Sequence, residues 1–144
     1  MTMNDKPVRI QSADFSIEEE INILKNSSLK TGAVVTFLGV ARDFSEGREI
    51  KSITFEQYGK MALKAMERLR ENALKRFDVI DIRMVHRVTA ISPGGQIILI
   101  AVSSEHRDEA FKACRWCIDT LKKTVPLWKK EITPEGESWV TPHP

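Results

Sequence analysis

The sequence predicts one α+β domain of mostly antiparallel strands packed with helices, and three observations lead there. Helical and two-residue apolar periodicities are interspersed along the chain without the strict strand–helix alternation of a doubly wound sheet. Turn signals at Pro93-Gly94-Gly95 and Thr133-Pro134-Glu135-Gly136 separate short β-prone runs. The 144 residues, 42% of them apolar, suffice for one core without a staple, and neither a linker nor an internal repeat interrupts them. The expectation is a single domain over residues 1–144, with residues 1–10 flexible and the strand order unspecified.

The elements follow in order. Ser16 and Glu19 have capping-box spacing, and Ile17, Ile21 and Leu24 form an apolar stripe, so a helix is expected over residues 17–24. Residues 32–40 contain the run Ala33-Val34-Val35-Thr36-Phe37-Leu38, the pattern of a central strand buried on both faces. A charged, turn-forming loop over 42–47 leads to a strand over 50–56. Ala62, Met66, Leu69, Ala73 and Phe77 then mark the longest helix, 60–77, with its Met and aromatic stripe facing the core. Residues 79–88 alternate Ile80, Ile82 and Met84 against Asp81 and Arg83, as a half-buried strand does. Beyond Pro93-Gly94-Gly95 lies an apolar strand over 96–103. Ser104 is placed to cap a helix reaching about Lys123, with Asp108 and Glu109 in its first turn. Pro126 blocks that helix, leaving strands over 127–132 and 137–140.

Composition excludes several classes. No window approaches the roughly 20 apolar residues of a membrane span, and the N-terminal residues lack the apolar core of a secretory signal. The two cysteines, Cys114 and Cys117, lie within one predicted helix, which suits a reducing compartment; a cytoplasmic location is expected. A net charge of +2 is too small to argue for nucleic acid by itself, but charge is uneven: Lys122, Lys123, Lys129 and Lys130 cluster near the end.

Among possible chemical motifs, Cys114-Arg115-Trp116-Cys117 has C-x-x-C spacing. It sits well past a helix N-terminus, where no dipole lowers a thiol pKa, so core packing is the better account. His86, His106 and His143 have no metal-ligand spacing, so no metal is expected. Neither a phosphate-binding glycine loop nor a nucleophile elbow is present. His106-Arg107 falls where a strand gives way to a helix N-terminus, and Arg42 just beyond a strand end; either could grip an anion or simply be solvated. A helix C-terminus accounts for Lys122 taken alone. Lys129, after Pro126-Leu127-Trp128, lies in a strand with an apolar flank that would partly desolvate its ammonium.

Gly39-Val40-Ala41-Arg42, His106-Arg107, the stretch from Lys122 through Pro126-Leu127-Trp128-Lys129-Lys130-Glu131, and Thr133-Pro134-Glu135-Gly136 with Trp139 together resemble the catalytic large subunit of molybdopterin synthase. Gly32-Ala33-Val34-Val35-Thr36-Phe37 and Glu56-Gln57-Tyr58 add to the resemblance, which covers about residues 15–140. It implies a fold of the α/β-hammerhead type and a homodimer of large subunits. Each would bind a small ubiquitin-like sulfur-carrier subunit, making a heterotetramer. The implied reaction moves two sulfurs from the carrier's C-terminal thiocarboxylate to cyclic pyranopterin monophosphate, forming the dithiolene of molybdopterin, with no cofactor. Carried over by position, Lys122 and Lys129 match the active-site lysines. Arg42, His106 and Arg107 match the grip on the substrate's anionic part, and Val40, Ala41, Lys130 and Glu131 match neighbouring pocket positions. The grips can come from different protomers. Leu127 departs from the family, which often has an aromatic residue there, and the chain stops at Pro144, soon after Trp139.

Two other readings compete. The lysine cluster with Trp116 and Trp128 as stacking surfaces would suit a nucleic-acid-binding module. A carrier-docking surface without chemistry would suit a non-catalytic binding subunit.

Overall fold

The computed structural model describes residues 5–57 and 60–140. In chain order it contains β1 (Val8–Gln11), α1 (Ile17–Ser27), β2 (Ala33–Val40), β3 (Phe44–Ser45), β4 (Arg48–Glu49), β5 (Ser52–Gln57), α2 (Lys60–Arg76), β6 (Asp81–Arg87), β7 (Gln96–Ser104), α3 (Arg107–Thr124), β8 (Leu127–Thr133) and β9 (Gly136–Trp139). Four strands form one sheet in the order β1-β6-β7-β2, parallel only between β1 and β6. A second, antiparallel sheet has the order β5-β8-β9, and β3 and β4 make a hairpin whose turn residues Glu46 and Gly47 both have positive φ. This is the mixed, mainly antiparallel α+β fold that the periodicities predict.

The main core lies between the four-stranded sheet and α2 and α3. Met66 and Leu69 of α2 and Cys117 and Leu121 of α3 press on Met84 and Ile100 of the sheet. Each such side chain contributes about 1.5–3 kcal/mol on burial. Cys114 and Cys117 are free thiols within this core, pushed up by burial to about 11 and about 12 respectively, so they pack and do not react. On the other face, Phe15 just before α1 and Ile17 of α1 pack with Val85 of β6 and Leu99 of β7. The N-terminus of α1 is capped as expected, the Glu19 amide donating to Ser16 Oγ at 3.1 Å.

Four expectations need correction. Of the segment 1–10, expected to be flexible, residues 8–10 belong to β1, which pairs with β6, and Arg9 is 3% exposed because it meets Glu20 of α1 in a buried ion pair; residues 1–4 lie outside the described residues. β2 is an edge strand rather than a central one, and its side chains are mostly half-buried. An unbroken apolar run reports packing on two faces, which β2 does have, but says nothing about neighbours in the sheet. The cap residue of α3 is His106, and Ser104 instead closes the end of β7, its hydroxyl donating to the His106 carbonyl. The segment expected as a loop over 42–47 holds the first strand and turn of a hairpin that closes with Arg48–Glu49.

The two sheets meet at one end. Ile53 and Ile91 exchange backbone hydrogen bonds of 2.9 and 2.7 Å there, over a small cluster of Ala41, Ile50, Ile53 and Ile91.

Candidate active site

Beside that junction a cleft of about 460 Å³ opens between the sheets and the C-terminal end of α3. β2 contributes Phe37 through Val40, α3 contributes Ile118, Leu121 and Lys122, and the second sheet contributes Phe55, Leu127 and Lys129. Gly39 is needed on this wall, since a Cβ there would come within 2.8 Å of Ile98 Cγ2 where the β2–β7 register shifts. Next along the chain, Ala41 is buried and anchored by its backbone: its amide donates to Gly95 O at 2.9 Å, and its carbonyl accepts from Gly94 N at 2.7 Å. The turn at Pro93-Gly94-Gly95 thereby presents Arg42 at the cleft mouth.

Arg42, Lys122 and Lys129 come from three separate stretches of chain and line this one cleft, and no Asp or Glu is among the described residues lining it. Lys122 and Arg42 are exposed and make no ion pair among the described residues. Lys129 is half-buried and lies 3.7 Å from Glu131 Oε2. Glu131 is 2% exposed and is shared with Arg48 of the hairpin at 3.5 Å.

Strand alternation divides the other predicted residues. Lys129 and Glu131 share one face of β8, while Lys130 points to the other, where it meets Glu56 at 3.6 Å, Glu137 at 3.3 Å and the Trp139 ring at 4.6 Å. Lys130 therefore does not reach the cleft. Val40 lines it, half-exposed, and Ala41 supports it from behind. His106 and Arg107 are exposed at the opposite end of α3, about 22 Å along the helix axis from Lys122, so one chain does not bring them to this cleft.

His86 was missed as a candidate. It lines the cleft floor, only 4% exposed, with Nδ1 2.7 Å from the Arg87 carbonyl and its ring edge-on to Phe55 at 4.7 Å. A carbonyl can only accept, so Nδ1 bears the proton. Burial lowers the ring to about 4, keeping it neutral near pH 7, with Nε2 as an acceptor. The signal lay in the alternation of Ile82 and Met84, which continues inward to His86.

Fold and cleft together define a single-domain α+β protein whose cleft gathers three cationic side chains from separate stretches of chain. A family model described as MoaE protein matches residues 10–124. A molybdopterin synthase catalytic subunit from Pyrococcus abyssi is 47% identical over 127 residues, covering 88% of this chain and 84% of the relative. Another from Ralstonia nicotianae is 41% identical over 133 residues, covering 92% and 76%. The crystal structure of molybdopterin synthase from Staphylococcus aureus superposes with a TM-score of 0.88 at 29% identity, covering 94% of this chain and 98% of that one. The chain belongs to the MoaE family of molybdopterin synthase catalytic subunits.

Proposed function

We propose that this chain is the catalytic subunit of a molybdopterin synthase. It brings thiocarboxylates at the C-termini of small ubiquitin-like carriers to cyclic pyranopterin monophosphate; two carriers in turn give one sulfur each to form the dithiolene, and each leaves with a carboxylate terminus after hydrolysis of its acyl group. The observation that carries this reading is the convergence of Arg42, Lys122 and Lys129 on one cleft. Both reactants are anionic, and preorganised cations in a partly apolar cavity favour their meeting and stabilise charge in the transition state.

In this reading Lys122 and Lys129 are the catalytic amines. They neutralise the thiocarboxylate, move protons as sulfur adds, and deal with the acyl group left on the carrier. Arg42 holds the substrate's anionic part, Val40 and Ala41 shape the wall, and Glu131 orients Lys129. His106 and Arg107 serve the cleft of a second copy, so the active form is a homodimer of this chain with a carrier at each end. The reaction is placed in the cytoplasm, which suits two unpaired thiols in the core. No helix of the described residues is long and apolar enough to cross a membrane.

The nucleic-acid reading finds less support. Trp116 packs edge-on against Phe77 at 5.8 Å, and Lys130 is engaged by Glu56 and Glu137, which takes one of the two stacking surfaces and one of the lysines away from that use.

The test is an assay of dithiolene formation from thiocarboxylated carrier and cyclic pterin. Lys122→Ala and Lys129→Ala should each lower turnover by at least about 100-fold while carrier binding stays intact. Full turnover by both variants would refute the proposal, as would salt-sensitive affinity for generic oligonucleotide with no turnover by the unmodified protein.

A further inference from the structure

We propose that His86 orients the substrate: its Nε2 accepts a hydrogen bond from an N–H of the pterin ring system and so determines which carbons face the lysines. The inference rests on the functional reading above and adds to it a residue outside the cationic set.

Three observations support it. First, the charged residues lining the cleft are all donors, suited to phosphate and thiocarboxylate, whereas a reduced pterin also offers N–H groups that need an acceptor. His86 supplies one. With Nδ1 committed to the Arg87 carbonyl, Nε2 is the ring's remaining polar atom, and it has no hydrogen-bond partner among the described residues.

Second, the ring is held from several sides. β6 is paired on both edges at this position, with Ile10 of β1 and Ile98 of β7, and Phe55 of the second sheet abuts the imidazole. An acceptor so fixed needs little reorganisation to serve a bound ligand. Third, an apolar side chain would fill this floor position without placing an unused polar atom there. Burial also keeps the ring unprotonated near neutral pH, so Nε2 does not become a donor that would repel the N–H.

A site that hydrogen-bonds a substrate N–H rejects analogues lacking it, because the buried acceptor is then left unpaired. The test uses the complete two-subunit enzyme with His86→Leu and His86→Gln, whose side-chain oxygen can stand near the Nε2 position, each assayed below its unfolding temperature. His86→Leu should raise KM for the cyclic pterin about tenfold or more, leaving KM for the carrier unchanged, and His86→Gln should recover most of the loss. In a second measurement, N-methylation of the pterin should weaken binding to the unmodified enzyme but produce no further loss in His86→Leu. If His86→Leu keeps the original pterin KM, or discriminates the methylated analogue as the unmodified enzyme does, the inference is overturned while the functional reading stands. If the unmodified enzyme forms no dithiolene, both fall.

Discussion

Glu20 is 1% exposed and accepts hydrogen bonds from Arg9 at 2.9 and 3.2 Å and from Arg83 at 2.8 Å. Burial alone would raise its carboxyl, but the hydrogen bonds and charges of the two guanidiniums outweigh this and hold it below 4.5. Glu20→Ala should destabilise the fold by about 3–5 kcal/mol in urea unfolding, since two arginines lose their counter-charge inside the protein. The pairing stabilises the fold above pH 4.5 and is lost as pH falls through the lowered value. His86 acts in an adjoining window. Its folded value of about 4 lies below the ordinary 6.5, so between them only the unfolded chain takes up the proton. Stability should therefore decline by about 3 kcal/mol as pH falls through this range, and unfolding free energies of His86→Gln should lack that decline. Of these residues the sequence revealed only the types. Glu20 stands in an acidic run that looks solvated, and nothing local distinguishes it from Glu18 and Glu19 until β1 and β6 bring their arginines together.

Elements were legible where a periodic stripe coincided with a cap or a breaker. Ser16 starts α1 and Pro126 closes α3, both as expected, because these devices act within a few residues. The edge position of β2 and the backbone-led start of α3 depend on distant partners. Gly32 illustrates this: its amide donates to Ser104 O at 3.0 Å, and a Cβ would collide with the carbonyl oxygen of Glu105. Gly32→Val should lower stability by about 1–3 kcal/mol and displace the start of α3, visible as altered chemical shifts at His106 and Arg107. On β8, alternation decides which lysine faces the cleft. Lys129 and Lys130 are indistinguishable as a charge pair in sequence, yet only Lys129 reaches the cleft.

At the scale of the molecule, α3 separates the predicted site into halves, with Lys122 at one end and His106-Arg107 at the other. If each functional centre combines the lysines of one protomer with the grip of its partner, complementary defects should rescue one another. Lys129→Ala and Arg107→Ala homodimers would each be impaired, and subunits exchanged in equal amounts should regain about a quarter of the original rate through mixed dimers with one intact centre. Failure to regain activity after verified exchange would place the grip elsewhere. The fold class was legible because periodicity reports burial; the assembly of the cleft was not, because its walls lie in separate sheets whose order no local pattern encodes.

The junction between those sheets has a mechanical corollary. Arg42 and Lys122 belong to the body formed by the larger sheet and its helices, whereas Lys129 stands on the smaller one. The spacing of the two amines is therefore set by how one body leans on the other about the Ile53–Ile91 contact, and by neither sheet's own ladder. Phe55 and Leu127 of the smaller sheet pack across this junction, against the His86 ring and the main core, so the gape of the cleft is held by side-chain packing between the two halves.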